Sequence, residues 1–273
     1  MDLAVVDLDG TLLRSDATVS ERTRAALAAA RAAGMRIVVA TARPPRFLPV
    51  LIAGAGLGGL AVCCNGAVLH DMDTGVTEVL AALPSDVARA AAETMAAIAP
   101  DMAFAVETGT RALAGPGWRR GARRDPARLD VRTVEELWDA EQCVKLLGWT
   151  GGEVTTAALE RWRAALGLSV TYSGAAGMVE IAAAGVSKAA TVRALCERWG
   201  VTADRVVAFG DMPNDLPVLE WAGLSVAVAN AHPEVRERAD LVTASNDEDG
   251  VALVLERLAA SRAVPDGTVV PAA

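Results

Sequence analysis

The chain has 273 residues, enough for one large or two moderate domains with a sizeable buried core. Hydrophobic residues make up 52% but aromatics only 4%, so that core is expected to be built from Ala, Val and Leu rather than rings. A formal net charge of -8 argues against a general nucleic-acid binder, which needs a basic face for phosphates. The four cysteines, at 63, 64, 143 and 196, lack C-x-x-C spacing, so neither zinc nor a disulfide framework is indicated. No basic-then-apolar leader opens the sequence, so a cytoplasmic protein is expected. The charge-free run from Phe47 to Leu69 has the length of a membrane span, but Pro49, Gly54, Gly56, Gly58, Gly59 and Asn65 interrupt it. Helix, turn and buried strand explain it better.

In chain order, Leu3 to Val6 is an apolar segment suited to a buried strand, and it ends in Asp7-Leu8-Asp9-Gly10-Thr11-Leu12-Leu13. Side chains two apart on a strand share a face, so Asp7 and Asp9 are expected to face one small volume and to need a cation or a shared proton. Alone, the segment reads as a strand followed by an Asp-Gly turn. Ser20 caps a helix that Gly34 stops, Met35 to Ala40 is a second strand ending in Thr41-Ala42-Arg43, and Pro44-Pro45 opens a helix. Leu60 to Cys64 is a third strand ending at Asn65-Gly66, and residues 67 to 80 read as a hairpin. This alternation predicts an α/β fold with a Rossmann-like parallel-sheet core and helices on both faces. Asp7, Asp9, Thr41 and Asn65 all fall at carboxyl ends of strands, where such sheets bind ligands.

From about residue 83 to 184 the rhythm changes. A helix from Ser85 to Ile98 is followed by strands near 103–106 and 111–113, an arginine-rich loop from Arg119 to Arg124 with Arg128 beyond, and a short helix near Val134. A strand at 144–147, a helix at 155–165 and strands at 170–172 and 178–181 complete an α+β insertion. The predicted division is therefore a discontinuous core, 1–82 and 185–273, and an inserted domain, 83–184. Alternation then resumes with the helix from Lys188 to Trp199, the strand Val206 to Phe209, and Gly210-Asp211-Met212-Pro213-Asn214-Asp215. Helix, strand, helix, short strand and a final helix from Gly250 follow, with a Pro- and Gly-containing tail from Ala263.

Asp211 and Asp215 again follow a buried strand, so two distant strand ends supply four carboxylates with Asp7 and Asp9. Such a cluster is costly without a cation, and a hard, oxygen-rich site suits Mg2+. Lys188 at a helix start suits an anionic group, and Thr11 and Thr41 offer hydroxyl donors to it.

These residues, in this order, resemble the four motifs of the haloacid dehalogenase-like (HAD) hydrolases: Asp7 to Leu13, Thr41-Ala42-Arg43, Lys188, and Gly210 to Asp215. The insertion, together with Asn65-Gly66-Ala67, Val186-Ser187-Lys188 and Ala229-Asn230-Ala231, resembles the Cof-type phosphatase branch, subclass IIB, with a large α/β cap. Ala42 and Ala189 stand where the family usually has glycine. The resemblance implies Asp7 as nucleophile and Asp9 as acid and base. It implies Mg2+ held by Asp7, the Asp9 backbone carbonyl and Asp211, with Asp215 in support. Thr11, Thr41, Lys188 and Asn214 would contact phosphoryl oxygens, and Arg43 and Asn65 are candidate substrate contacts. The implied activity is hydrolysis of a small phosphorylated metabolite, a sugar phosphate foremost, by a cytoplasmic monomer or homodimer with no nucleic-acid or membrane partner. A phosphomutase and a non-catalytic metabolite-binding protein are the alternatives.

Overall fold

The computed structural model describes residues 1–118, 125, 127–152, 154–172 and 177–263. In chain order the first elements are β1 (Leu3–Val6), α1 (Glu21–Ala32), β2 (Arg36–Ala40), α2 (Leu48–Leu51), β3 (Leu60–Cys63), β4 (Val68–Asp71) and β5 (Thr77–Val79). Next come α3 (Ser85–Ile98), β6 (Ala103–Glu107), β7 (Ala112–Ala114), β8 (Arg128–Asp130), β9 (Lys145–Trp149), α4 (Thr156–Leu166), β10 (Ser169–Thr171) and β11 (Met178–Ala182). The chain ends with α5 (Lys188–Trp199), β12 (Val206–Gly210), α6 (Leu216–Leu219), β13 (Leu224–Ala227), α7 (Pro233–Arg238), β14 (Leu241–Val242) and α8 (Gly250–Ala263).

Two sheets result. The first has eight strands in the order β14-β13-β12-β1-β2-β3-β4-β5, and the second has six, β10-β11-β9-β6-β7-β8. β1 is flanked by β12 and β2, both parallel to it, and all four of its residues are buried, as a strand covered on both faces requires. The chain runs outward from β1 in one direction through β2 and β3 and in the other through β12, β13 and β14. Right-handed crossovers then send the connecting helices to opposite faces. Accordingly α1 packs on α8, and α5 packs on α6. The gap between the carboxyl ends of β1 and β12 is the point where strand order reverses, and the aspartate motifs sit there.

Each sheet has its own apolar core. The first is dominated by Val, Leu and Ala, with Phe209 a buried ring at its centre; the second gathers Met95, Phe104, Leu137, Leu146, Trp162 and Ile181. Among the described residues no helix is long and apolar enough to cross a membrane.

Several expectations need correction. The eight-stranded sheet is not wholly parallel, because the hairpin β4–β5 adds two antiparallel strands at one edge. The helix expected from Pro44 is a 3-10 turn, Pro45–Phe47, followed by the single turn of α2, since Gly54 and Gly56 take positive φ soon after. The segment near Val134 is a 3-10 helix, Glu135–Asp139. β8, parallel to β7, had no counterpart in the sequence reading. The loop from Arg119 to Arg124 and the tail from 264 lie outside the described residues.

One close approach fixes the helix that carries Lys188. Ser187 caps α5 by accepting from the Ala190 amide at 3.1 Å, and Thr191 Oγ1 donates to the Gly66 carbonyl at 2.7 Å. Gly66 has φ +109°, and a Cβ there would collide with the Ser187 backbone. Gly66→Ala is therefore expected to lose roughly 2–4 kcal/mol of stability in denaturant unfolding. Gly152→Ala, at a glycine with open space around it, should change stability by less than about 0.5 kcal/mol.

Candidate active site

The loop after β1 turns tightly. Leu12 N–H donates back to the Asp7 carbonyl at 3.2 Å, Leu13 N–H to the Leu8 carbonyl at 2.8 Å, and Gly10 takes φ +79°. A Cβ on Gly10 would collide with the Asp211 carboxylate, so glycine lets the two strand ends meet. At that meeting Lys188, 2% exposed, reaches Asp7 Oδ1 at 2.5 Å and Asp215 Oδ1 at 2.7 Å. The other oxygen of Asp215 accepts from the backbone N–H groups of Asp211 and Met212, each at 3.1 Å. Thr11 Oγ1 donates to Asp211 Oδ1 at 2.9 Å. Carboxylate oxygens of Asp7, Asp211 and Asp215, all buried, lie within 4.8 Å of one another.

Three buried carboxylates against one ammonium leave an excess of negative charge, and the groups titrate accordingly. Burial pushes Asp7 well above the usual carboxylate range, with Lys188 opposing and Asp215 and Asp211 adding to the rise. Burial, then Asp215, pushes Asp211 up to about 7. Burial alone would lower Lys188, but Asp215 and Asp7 outweigh it and hold the ammonium above its ordinary range. The donor set is all oxygen and excess negative, which fits a hard divalent cation. Asp7 and Asp211 are the two carboxylates with oxygens to spare, whereas both oxygens of Asp215 are already engaged by Lys188 and the backbone.

Asp9 lines the same cavity as Asp7 but does not join its carboxylate cluster. Its carboxylate is not part of the three-aspartate group; it lies 45% exposed and takes a bidentate grip from Arg43, Nε to Oδ2 at 2.6 Å and Nη2 to Oδ1 at 2.7 Å. β1 ends at Val6 and Leu8 lies in a turn, so strand alternation no longer governs position 9. Thr41 is buried at the end of β2, where its hydroxyl accepts from the Arg43 amide at 3.1 Å. Asn214 Nδ2 donates to Asn65 Oδ1 at 3.2 Å. Asn230, outside the candidate set, donates to the Gly10 carbonyl at 2.7 Å and braces the loop.

Above these groups lies a cavity of about 620 Å³ walled by both sheets. Asp7, Asp9, Arg43 and Asn214 form its floor and side, and residues from the second sheet, including Glu107, Lys145 and Glu180, supply the opposite wall. Those three escaped the sequence reading, although a lone charge inside apolar strands such as Val144-Lys145-Leu146 and Met178-Val179-Glu180-Ile181 was a usable signal. Contacts that tie the sheets together across the cavity include the grip of Arg46 on Glu107 at 2.7 and 2.8 Å and the bond from Lys145 Nζ to the Ala42 carbonyl at 2.8 Å. His70 and His232 are absent from the cavity lining.

Asp211 binds its proton more tightly folded than unfolded, so the cation-free protein should lose stability as pH rises from about 4 towards about 7. Thermal melting across that range in a chelator should show the decline. Asp211→Asn should make it shallower, with Asp7 still contributing in the same direction.

Comparison with known proteins accords with this geometry. Residues 4–255 match the family model described as haloacid dehalogenase-like hydrolase. A Bacillus subtilis 5-amino-6-(5-phospho-D-ribitylamino)uracil phosphatase, YitU, is 29% identical over 273 residues, covering 93% of this chain and 96% of its own. The Escherichia coli pyridoxal phosphate phosphatase YbhA is 29% identical over 263 residues, covering 90% and 94%. A haloacid dehalogenase-like hydrolase of known structure from Bacillus subtilis superposes with a TM-score of 0.80 at 25% identity, covering 94% of this chain and all of that one. With the model spanning nearly all of both sheets and the aspartate loops at their junction, the chain belongs to the haloacid dehalogenase-like hydrolase family.

Proposed function

We propose that this protein is a magnesium-dependent phosphatase that hydrolyses small phosphorylated metabolites through an aspartyl-phosphate on Asp7. The observation that carries the reading is the Asp7 carboxylate at the cavity floor, oriented by Lys188 at 2.5 Å beside the buried oxygens of Asp211. Asp7 and Asp211, with the Asp9 carbonyl, would hold Mg2+, and Asp215 would act in support by fixing Lys188 and the Asp211 backbone. When bound, the cation supplies charge neutralisation and alignment for in-line displacement.

An Asp7 oxygen attacks phosphorus as the ester P–O bond breaks, and the leaving oxygen takes its proton from Asp9. Water then attacks the phosphorus of the aspartyl-phosphate, Asp9 takes its proton, and phosphate departs with Asp7 restored. Arg43 grips both oxygens of Asp9 at the cavity wall, away from the three-aspartate group, so Asp9 would release at least one of them to carry the proton. Lys188, with Thr11, Thr41 and Asn214, would stabilise the charge shifting on the phosphoryl oxygens.

Residues 83–184 would act as a cap over the leaving group, with 1–82 and 185–273 as the catalytic core. The names of the two relatives imply different alcohols joined to the same kind of phosphate, which supports a phosphate monoester as the substrate class. A sugar phosphate remains our first candidate substrate. Four free buried cysteines support a reducing, cytoplasmic setting.

Phosphate release from p-nitrophenyl phosphate and a panel of metabolite monoesters tests the reading. Chelation should abolish release and Mg2+ restore it. Asp7→Asn should lose at least about a thousandfold in rate. Asp9→Asn should lose about 10²–10⁴ in turnover on alkyl esters yet keep a burst of p-nitrophenol, whose departure needs no proton. An unimpaired Asp7→Asn would refute the assignment.

A further inference from the structure

A buried polar chain joins the cap to the floor of the site. On the cap strands β9 and β11, Lys145 Nζ and Glu180 Oε1 form an ion pair at 3.2 Å, with both residues 3% exposed. Burial alone would lower Lys145, but Glu180 outweighs it and keeps the ammonium charged. The other Glu180 oxygen accepts from Asn65 Nδ2 at 2.5 Å, and Thr171 Oγ1 lies 3.1 Å from the same nitrogen. Asn65 Oδ1 in turn accepts from Asn214 Nδ2, while Asn214 Oδ1 is buried with no hydrogen-bond partner among the described residues. Asn65 takes φ 57° and Cys64 before it φ 51°, two consecutive left-handed residues held at the end of β3.

The orientation of this chain follows from one property: an ionised carboxylate can only accept. Glu180 therefore selects the nitrogen of Asn65 and turns the Asn65 oxygen towards Asn214. That oxygen selects the nitrogen of Asn214. A reversed Asn214 would bring two amide oxygens face to face and direct its own oxygen, instead of N–H, towards an anionic phosphoryl group.

We propose that Glu180, held by Lys145, is a positioning residue of the cap that sets the amide orientation of Asn65 and through it presents the N–H of Asn214 to the phosphoryl group. This rests on the phosphatase reading of the floor. It makes the phosphate site complete only with the cap docked, since Asn65 and Asn214 belong to the core and the groups that orient them to the cap. The Lys145 bond to the Ala42 carbonyl pins the loop beside Thr41 at the same time.

Glu180→Gln tests the relay by reversing it. Lys145 retains the Gln carbonyl, so the Gln NH₂ faces Asn65, and each amide in turn must flip to avoid opposing donors. With Mg2+ present, calorimetric titration with inorganic phosphate should show roughly tenfold weaker binding for Glu180→Gln than for the wild type. In an Asn214→Ala background, or with Asn65→Gly, which suits the left-handed backbone, the same substitution should change binding by less than about twofold. Thermal melting identifies the folded variants, and Asn65→Gly interrupts the chain without disturbing the ion pair. An equal loss in every background, or none in the wild-type background, would overturn the relay. Phosphate binding with the expected pattern but no hydrolysis of any monoester would defeat the phosphatase reading alone, whereas no phosphate binding by the wild type would defeat both.

Discussion

The ammonium of Lys188 between Asp7 and Asp215 is the interaction on which the rest of the site depends. A lysine this buried is tolerated only because two carboxylates meet it, and those carboxylates are tolerated only because of the lysine and the backbone donors behind them. The fold supplies the meeting: β1 and β12 lie side by side, although some two hundred residues separate Thr11 from Asp211, which touch at 2.9 Å. Capping by Ser187 and the close passage of Gly66 place the start of α5 over the same gap. The cluster remains short of positive charge, which makes the floor receptive to a divalent cation.

The upper wall follows a different rule. Its described cations are each matched by carboxylates: Arg43 by Asp9, Arg46 by Glu107 and Asp125, and Lys145 by Glu180. Such partly or fully buried pairs add little net stability compared with apolar packing, but their geometry is exacting. Arg46 holds a loop of the first sheet against the second, Arg43–Asp9 joins two loops of the first, and Lys145–Glu180 joins β9 to β11.

Much of this was legible in the sequence, for physical reasons. α5 begins at Lys188 and ends at Trp199, where Ser187 and Gly200 predicted its limits, and α3 matches its expected span, because caps and apolar periodicity are local properties. The family was legible as a resemblance, carried by the motifs at 7–13, 41–43, 188 and 210–215. The direction of the Asp9 side chain was not, since strand alternation stops one residue earlier and a partner 34 positions away, Arg43, determines where the carboxylate rests. The service of both Asp215 oxygens to the lysine and the backbone, and the Glu180–Asn65–Asn214 chain, depend on packing between segments with no spacing signature. The antiparallel edge was visible only as a hairpin, because nothing local says which sheet a hairpin will join.

The central claim is that Asp7 is the group to which phosphorus becomes bonded. Acid quenching during turnover with an activated monoester, followed by peptide mass spectrometry, tests it most directly. The account predicts a phosphoryl adduct on the peptide containing Asp7, located at that residue and absent from Asp7→Asn. A phosphoryl adduct on any other side chain, or full turnover by Asp7→Asn, would contradict it.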